Sequence, residues 1–306
     1  MTLQRLPAGL PPDEAEKLRW QAFGHKHTSV LTSADGFQRF IAQRGFVLTG
    51  PQRGLQFPSA LEAVVGRPLL GRSFEERTAE LDAWRCDCVS RGRLHAAAVL
   101  LGYSTLSSTP FHIDFLALAA DRDDLRKMDL ALAKQRLGYD AGVVCEHLAR
   151  SDGALTQAEL EEYMQLRSQP GRTRLRRALG EAIRRFCVCE VFRKSPSGEV
   201  VVAYDLTARA CAGPLAKACK IDPATARQRI ATRYLRNVLV EGCHEMARVL
   251  GWPPDVTLAT LRRLESRKIA SEHPASRHNR WFFQANATDL LPPHSTPRSS
   301  DAPSDE

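Results

Sequence analysis

The chain has 306 residues, 43% hydrophobic and 25% charged, which excludes wholesale disorder and suggests about two folded domains by length alone. Its 43 Lys+Arg against 35 Asp+Glu give a formal charge of +8, compatible with a polyanionic partner without requiring one. The longest apolar runs, Ala96–Leu101 and Phe115–Ala120, fall far short of the roughly 20 residues of a membrane span, and Met1–Arg5 leads into no apolar stretch. A cytoplasmic protein with no membrane partner is expected.

In chain order, residues 1–27 read as a loosely held arm. Ser33–Gly45 places Phe37, Phe40 and Ile41 on one helical face, and Phe46-Val47-Leu48 follows as a strand. Pro58–Gly66 and Phe74–Val89 read as further helices, and 110–115 as a strand or the start of a short helix reaching Ala120. This permits a first winged-helix-like unit with insertions over 28–128. The middle is clearer. Lys134–Arg150 is amphipathic and ends at the turn Ser151-Asp152-Gly153. Thr156 and Glu159 form a capping-box pattern ahead of a helix Ala158–Leu166, which Ser168-Gln169-Pro170-Gly171 should stop. A helix Arg172–Phe186, an alternating strand Cys187–Phe192, a tight loop Ser195–Gly198 and a return strand Glu199–Asp205 complete a winged-helix order over 129–210.

The same order returns over 211–288, with helices Ala224–Val240, Cys243–Leu250 and Val256–Lys268, a short strand near Ile269 and a last strand Arg280–Gln284. From Asp289 to Glu306 the chain is rich in Pro, Ser and charge and reads as a disordered tail. The expected fold is mainly α with small β-wings, an α+β class of tandem winged-helix units, three in number.

In a winged helix the third helix commonly enters the major groove and the wing touches the backbone. On Arg172–Phe186 the apolar residues Leu175, Ala178, Leu179, Ala182, Ile183 and Phe186 share one face. Arg174, Arg177, Arg184 and Arg185 gather opposite, with Glu181 the acid among them. Such a stripe can follow phosphates and offer guanidinium forks to guanine edges, although a solvated basic face would look the same. Arg193 and Lys194 beside one wing, and Arg277 and Arg280 beside the other, add cations where a wing would meet DNA. Double-stranded DNA is therefore the expected partner.

The eight cysteines show no C-x-x-C pairing with His at finger spacing. Cys86-Asp87-Cys88 and Cys187-Val188-Cys189 read as core positions, so no metal and no small-molecule cofactor is expected. Trp84 reads as packing. His112-Ile113-Asp114 could place an imidazole and a carboxylate on one side of an extended segment, or be a buried hydrogen-bonded pair. No Ser-His-Asp order, phosphate-binding glycine loop or helical His-Glu pair is visible.

Several stretches carry a family resemblance. They are Gln43-Arg44-Gly45-Phe46-Val47, Phe57–Val64, Leu81-Asp82-Ala83-Trp84, Ala203-Tyr204-Asp205-Leu206 and Met246–Trp252. With them the chain resembles the AlkZ-type DNA glycosylases over roughly Thr28 to Gln284. The resemblance implies three successive winged helices and hydrolysis of the N-glycosidic bond of alkylated or crosslinked bases. It also implies a Gln-x-Asp or Gln-x-Gln motif in the first unit, from which this chain departs. Gln43 and Gln52 are followed two residues on by Gly, and Gln56 by Pro. If the bond is cleaved, a carboxylate must face the developing sugar cation, and Asp114 is the first candidate, Asp87 the second, with His112 positioning water. The alternative is a winged-helix transcriptional regulator without catalytic activity.

Overall fold

The computed structural model describes residues 31–52, 55, 57–65, 74–119, 136–194, 199–272 and 280–283. The expected arm 1–27, the tail from Asp289, the loop Ser195–Gly198 and the wing residue Arg277 lie outside the described residues. Ser33 starts helix α1 (Ala34–Arg44), its hydroxyl accepting the Gly36 N–H at 3.1 Å. Strand β1 (Phe46–Leu48), helices α2 (Ala60–Val65) and α3 (Phe74–Ser90), and strands β2 (Leu94–Leu100) and β3 (Tyr103–Ser108) follow. After helix α4 (Thr109–Ala117) come α5 (Tyr139–Arg150), β4 (Leu155–Thr156), α6 (Gln157–Tyr163), α7 (Gln169–Arg184), β5 (Val188–Lys194) and β6 (Val200–Leu206). Short helices α8 (Thr207–Ala210) and α9 (Ala212–Ala218) lead to α10 (Pro223–Val238), β7 (Val240–Gly242), α11 (Cys243–Leu250), α12 (Pro254–Ser266), β8 (Ala270–Glu272) and β9 (Arg280–Phe283).

The order helix, strand, helix, helix, strand, strand thus recurs along the chain, and each of three antiparallel sheets is ordered first–third–second. That is winged-helix topology within an α+β fold. The capping box at Thr156 forms as expected: Glu159 N–H donates to the Thr156 hydroxyl and Thr156 N–H to the Glu159 carboxylate.

One local expectation is corrected, one alternative is decided and one unforeseen element is added. Ser168-Gln169-Pro170-Gly171 starts α7 instead of stopping α6, because Ser168 Oγ accepts the Gly171 N–H at 3.2 Å and Pro170 occupies the first turn, where its missing N–H costs nothing. Residues 110–115 are helical, started in the same way by Pro110, so His112 and Asp114 do not share one side of an extended segment. Two residues apart on a helix, they are about 200° apart around the axis. The hairpin of β2 and β3 is the element that residue preferences hide, since Ala96-Ala97-Ala98 has little intrinsic preference for a strand. It forms because Leu94, Ala96, Leu100 and Leu106 are buried through it.

The apolar interior is not parcelled sheet by sheet. The middle sheet's core includes Leu155, Leu175, Leu179 and Leu206, and also takes Leu116 and Ala117 from α4 and Leu215 from α9. A second core joins Phe46, Leu48 and Phe57 of the first sheet region to Ile230, Tyr234 and Leu235 of α10 and to the fully buried Trp281 of β9. Its aromatic seam stacks Phe46 on Phe57 at 5.6 Å and Phe57 on Tyr234 at 5.4 Å, with Phe115 edge-on to Phe46 at 5.1 Å. Trp84 packs against Phe37 with ring centroids 6.1 Å apart, as its reading as a packing residue requires.

Gly45 sits where these layers meet. Its φ is +77°, and a Cβ there would lie 2.7 Å from the Phe111 ring and 2.9 Å from Arg233 Cγ. Gly92, at φ +65°, has open space around it. Gly45→Ala should therefore cost about 2–4 kcal/mol, backbone strain plus overpacking, and Gly92→Ala about 1–2 kcal/mol from the backbone alone. Urea midpoints of the two variants check the ranking, and equal costs would refute the close approach.

Candidate nucleic-acid interface

The expected apolar face of α7 is buried, with Leu175, Ala178, Leu179 and Ala182 in the core. Its arginines have diverged in role. Arg174 makes a bidentate pair with Asp140 at 2.6 and 2.5 Å, which holds the Asp140 carboxyl below its ordinary range. Arg177 is exposed, and so is the neighbouring Arg176, which its place on the helical wheel does not single out. Arg193 turns inward, donating to the Ala154 carbonyl at 2.7 Å and to the Glu159 carboxylate, so it joins β5 to the start of α6. Lys194 is exposed at the end of β5, and Arg280 opens β9 opposite Gly242.

Arg184 and Arg185 reach a different place. They line a cleft of about 520 Å³ together with Arg227 of α10 and Arg248 of α11. Its apolar walls include Leu101 at the tip of the β2–β3 hairpin, Phe115 of α4, Phe186 and Trp252. The cleft is assembled from distant parts of the chain. The hairpin tip is docked by a Leu101 N–H to Val249 carbonyl bond of 2.9 Å, and a Cβ at Gly102 would lie 3.1 Å from Arg184 Cδ. Arg248 is held by Glu245, through Nε at 3.0 Å. Among the described residues no carboxylate lines the cleft or pairs with Arg184, Arg185 or Arg227. An aromatic and aliphatic floor beneath guanidinium groups can hold a planar group and a phosphate together.

A second arginine group was invisible in sequence because its members lie almost 190 residues apart. Arg44, at the end of α1, meets Arg233 and Arg236 of α10. Burial, then Arg236 and Arg233, push the Arg44 guanidinium down to about 10, and burial followed by Arg236 pushes Arg233 down to about 10. Arg233 donates to the Gln43 carbonyl and lies over the Phe111 ring at 5.2 Å, and Asn237 Nδ2 donates to the Arg44 carbonyl at 3.0 Å. These bonds satisfy carbonyls at the end of α1 but leave the mutual repulsion of the guanidinium groups uncompensated by any described carboxylate.

The three candidate catalytic residues are not brought together. Asp87 is half-exposed on α3 and pairs with Arg91 one turn on, at 2.7 Å. Asp114 is 3% exposed and accepts from Arg229 Nη1 at 3.2 Å. Burial pushes its carboxyl up from the ordinary value, and the Arg229 charge draws it back only in part. His112 is 1% exposed, and burial pushes its imidazole below the usual range. Its ring is parallel to that of His95, with centroids 4.2 Å apart and planes 6° from one another.

Cys211 completes this group, its Sγ 3.9 Å from His95 Nδ1. His95, His112 and Cys211 are the described side chains that could hold a metal ion. Cys187 and Cys189 are both buried, as core positions should be, but they meet different thiols, Cys145 and Cys211 respectively.

No family model and no curated protein matches the chain. Among solved structures the fold is similar to that of the DNA glycosylase AlkZ of Streptomyces sahachiroi, with a TM-score of 0.52. Identity is 14%, and the alignment covers 90% of this chain and 71% of that one. At this identity the likeness is one of scaffold, a distant AlkZ-like α+β fold. No helix among the described residues is long and apolar enough to cross a membrane.

Asp114 gives a test of sign. Its folded-state pKa lies above the unfolded value of about 3.9, so its contribution to stability is fully present below that value and is lost as pH rises through the raised folded value. Arg229 is 56% exposed on its side chain and returns to water if its partner is removed. Asp114→Asn should therefore be at least as stable as the parent at neutral pH, with the gain shrinking on acidification. Urea midpoints across the acid range check this, and a loss above about 1 kcal/mol at neutral pH would mean that the ion pair outweighs the burial cost.

Proposed function

We propose that the protein binds double-stranded DNA as a tandem winged-helix protein of the DNA-repair type, a divergent AlkZ-related member. Its units divide at 28–128, 129–210 and 211–288. The observation that carries this reading is the cleft in which Arg184, Arg185 and Arg227, without carboxylate partners among the described residues, surround an aromatic floor of Phe115, Phe186 and Trp252. Phosphate contacts supply most of the affinity of such a surface. A base turned out of the stack needs an apolar, aromatic receptacle of that kind. The Arg44–Arg233–Arg236 group supports the same partner, since a polyanion relieves its internal repulsion. Arg177 and Lys194 extend the basic surface, while Arg174 and Arg193 position other groups through Asp140 and Glu159.

The chemistry we propose is hydrolysis of the N-glycosidic bond of an alkylated or crosslinked base. An alkylated base is cationic and leaves readily, so the protein has mainly to place water and stabilise positive charge on the sugar. Asp114 is the proposed carboxylate. It follows the Phe111–Ile113 turn of α4 directly, precedes Phe115 in the cleft wall, and is covered by an arginine that is more than half exposed. A buried carboxylate that costs the fold stability is the kind of group retained for a task. Asp87 is the second candidate, and His112 supports the helix that carries Asp114.

Binding is measured by fluorescence anisotropy on duplex DNA over a range of salt. Arg184→Gln with Arg185→Gln should weaken binding to all sequences and flatten the log–log salt slope by about 0.9 for each phosphate no longer neutralised. Base release is measured by incubating alkylated or crosslinked duplex and then adding alkali, which turns abasic sites into breaks. Asp114→Asn should slow release about 10²-fold or more while leaving affinity nearly intact. Full release by both Asp114→Asn and Asp87→Asn would refute the carboxylate assignment. No release by the parent protein from any such duplex would leave a DNA-binding protein without this chemistry, as the regulator reading holds.

A further inference from the structure

The seam between the first sheet and the junction of α8 and α9 holds a group of which only His112 enters the reading of base release. His95 of β2, His112 of α4 and Cys211 between α8 and α9 bring one nitrogen or sulfur atom each within 4.8 Å of one another. Cys211 and His112 are buried and His95 is half-buried. Both ring nitrogens of His112 are shut off from solvent, with the Cys211 thiol beside them and no hydrogen bond of good geometry to satisfy them. A buried imidazole so poorly satisfied calls for an ion or a water at its lone pair.

The neighbourhood of His95 is prepared in the same sense. Its Nε2 lies 3.3 Å from the Thr109 hydroxyl, which itself donates to the Gly92 carbonyl at 3.2 Å. With its hydrogen committed to Gly92, Thr109 accepts from Nε2–H, and His95 Nδ1 presents a lone pair toward Cys211 Sγ, 3.9 Å away. A ligating histidine is commonly fixed through its other nitrogen in just this manner. Zinc bond lengths of about 2.0–2.1 Å to nitrogen and 2.3 Å to sulfur place tetrahedral ligand atoms roughly 3.3–3.7 Å apart. The two rings are stacked, so one of them has to turn out of the stack before both in-plane lone pairs can meet one ion at that range.

We propose that His95, His112 and Cys211 bind one borderline-soft transition-metal ion of the zinc class. Two imidazoles and a thiolate suit zinc, and the set contains no oxygen ligand for magnesium or calcium. All three residues line a cavity of about 240 Å³ between β2 and β5, which Cys189 also lines. The ion ties the first hairpin and α4 to the junction of α8 and α9. Its two histidines are 17 residues apart and Cys211 lies 99 residues beyond His112, so no short spacing in the sequence announces them.

The test uses the full-length protein, stripped with chelator and titrated with Zn²⁺ by calorimetry and with Co²⁺ by absorption. One ion per chain should bind, with a thiolate-to-cobalt charge-transfer band and a rise in melting temperature. Cys211→Ser should abolish the band, and His95→Asn should weaken binding about a hundredfold or more. Thr109→Val, which removes only the orienting hydroxyl, should weaken it about 10–100-fold. Cys219→Ser, a cysteine outside the group, should bind as the parent does. Lack of stoichiometric uptake by the parent overturns the proposal and leaves a thiol–imidazole hydrogen-bonded cluster. Unchanged affinity in His95→Asn overturns it as well, even if Cys211→Ser fails to fold.

Discussion

Helix α4 is the constraint on which the rest of the arrangement depends. Of its nine residues, His112, Asp114, Phe115, Leu116 and Ala117 are buried. A helix buried around most of its circumference cannot lie on the surface of one small unit and must be enclosed. Here the enclosure comes from parts of the chain far apart in sequence. Leu116 and Ala117 belong to the middle core, Phe115 to the core shared by the first sheet and α10, and Asp114 accepts from Arg229 of α10. Separating the sheets would expose this helix, at about 1.5–3 kcal/mol for each large apolar side chain returned to water. Winged-helix topology repeats along the chain, but α4 makes the repeats one packed structure.

This enclosure explains why charge collects at the seams. Where α1 and α10 meet, Arg233 and Asn237 satisfy backbone carbonyls at the end of α1 that no helix bond can reach. The same approach brings Arg233 and Arg236 against Arg44, and burial adds to their repulsion. Elsewhere arginines are neutralised across seams, as when Arg85 of α3 bonds Glu190 of β5 at 2.5 Å while lying over Phe192. The fold can therefore pair its seam arginines with acids, and among the described residues it does not do so around Arg44 or at Arg184, Arg185 and Arg227 in the cleft.

Much of the local structure was legible because it is written in local chemistry. Thr156 with Glu159, and Leu175, Ala178, Leu179 and Ala182 on the apolar face of Arg172–Phe186, act within a turn or two and behave as read, whereas Phe186 lies beyond the helix. Ser168–Gly171 misled because the same Ser-x-Pro-Gly letters can end one helix or cap the next. The β2–β3 hairpin escaped, and the sequence of α4 fits two alternatives, because their conformations follow from tertiary burial, which overrides alanine's poor strand preference and the ambiguity of a short apolar run. The site was harder still. Arg174 and Arg193 looked like free cations until Asp140 and Glu159 were seen beside them, and the partners of Arg44, His95 and Cys211 are set by topology alone.

The walls of the cleft also carry backbone strain. Leu101 and Phe186, both bulky non-glycine residues, have φ of +51° and +58°. Each such residue costs about 1–3 kcal/mol unless the surroundings hold it in place. Leu101 is held by its N–H bond to Val249, and Phe186 by bonds at the end of α7, where its N–H meets the Ile183 carbonyl at 3.0 Å. Both expose apolar side chains to the cleft, and the Phe186 ring lies edge-on to His112, with centroids 6.3 Å apart. The same phenyl group therefore forms a wall of the basic cleft and borders the His95–His112–Cys211 cluster. The two sites are thus built against one rigid, close-packed ring, and the strained backbone at Phe186 is held between them.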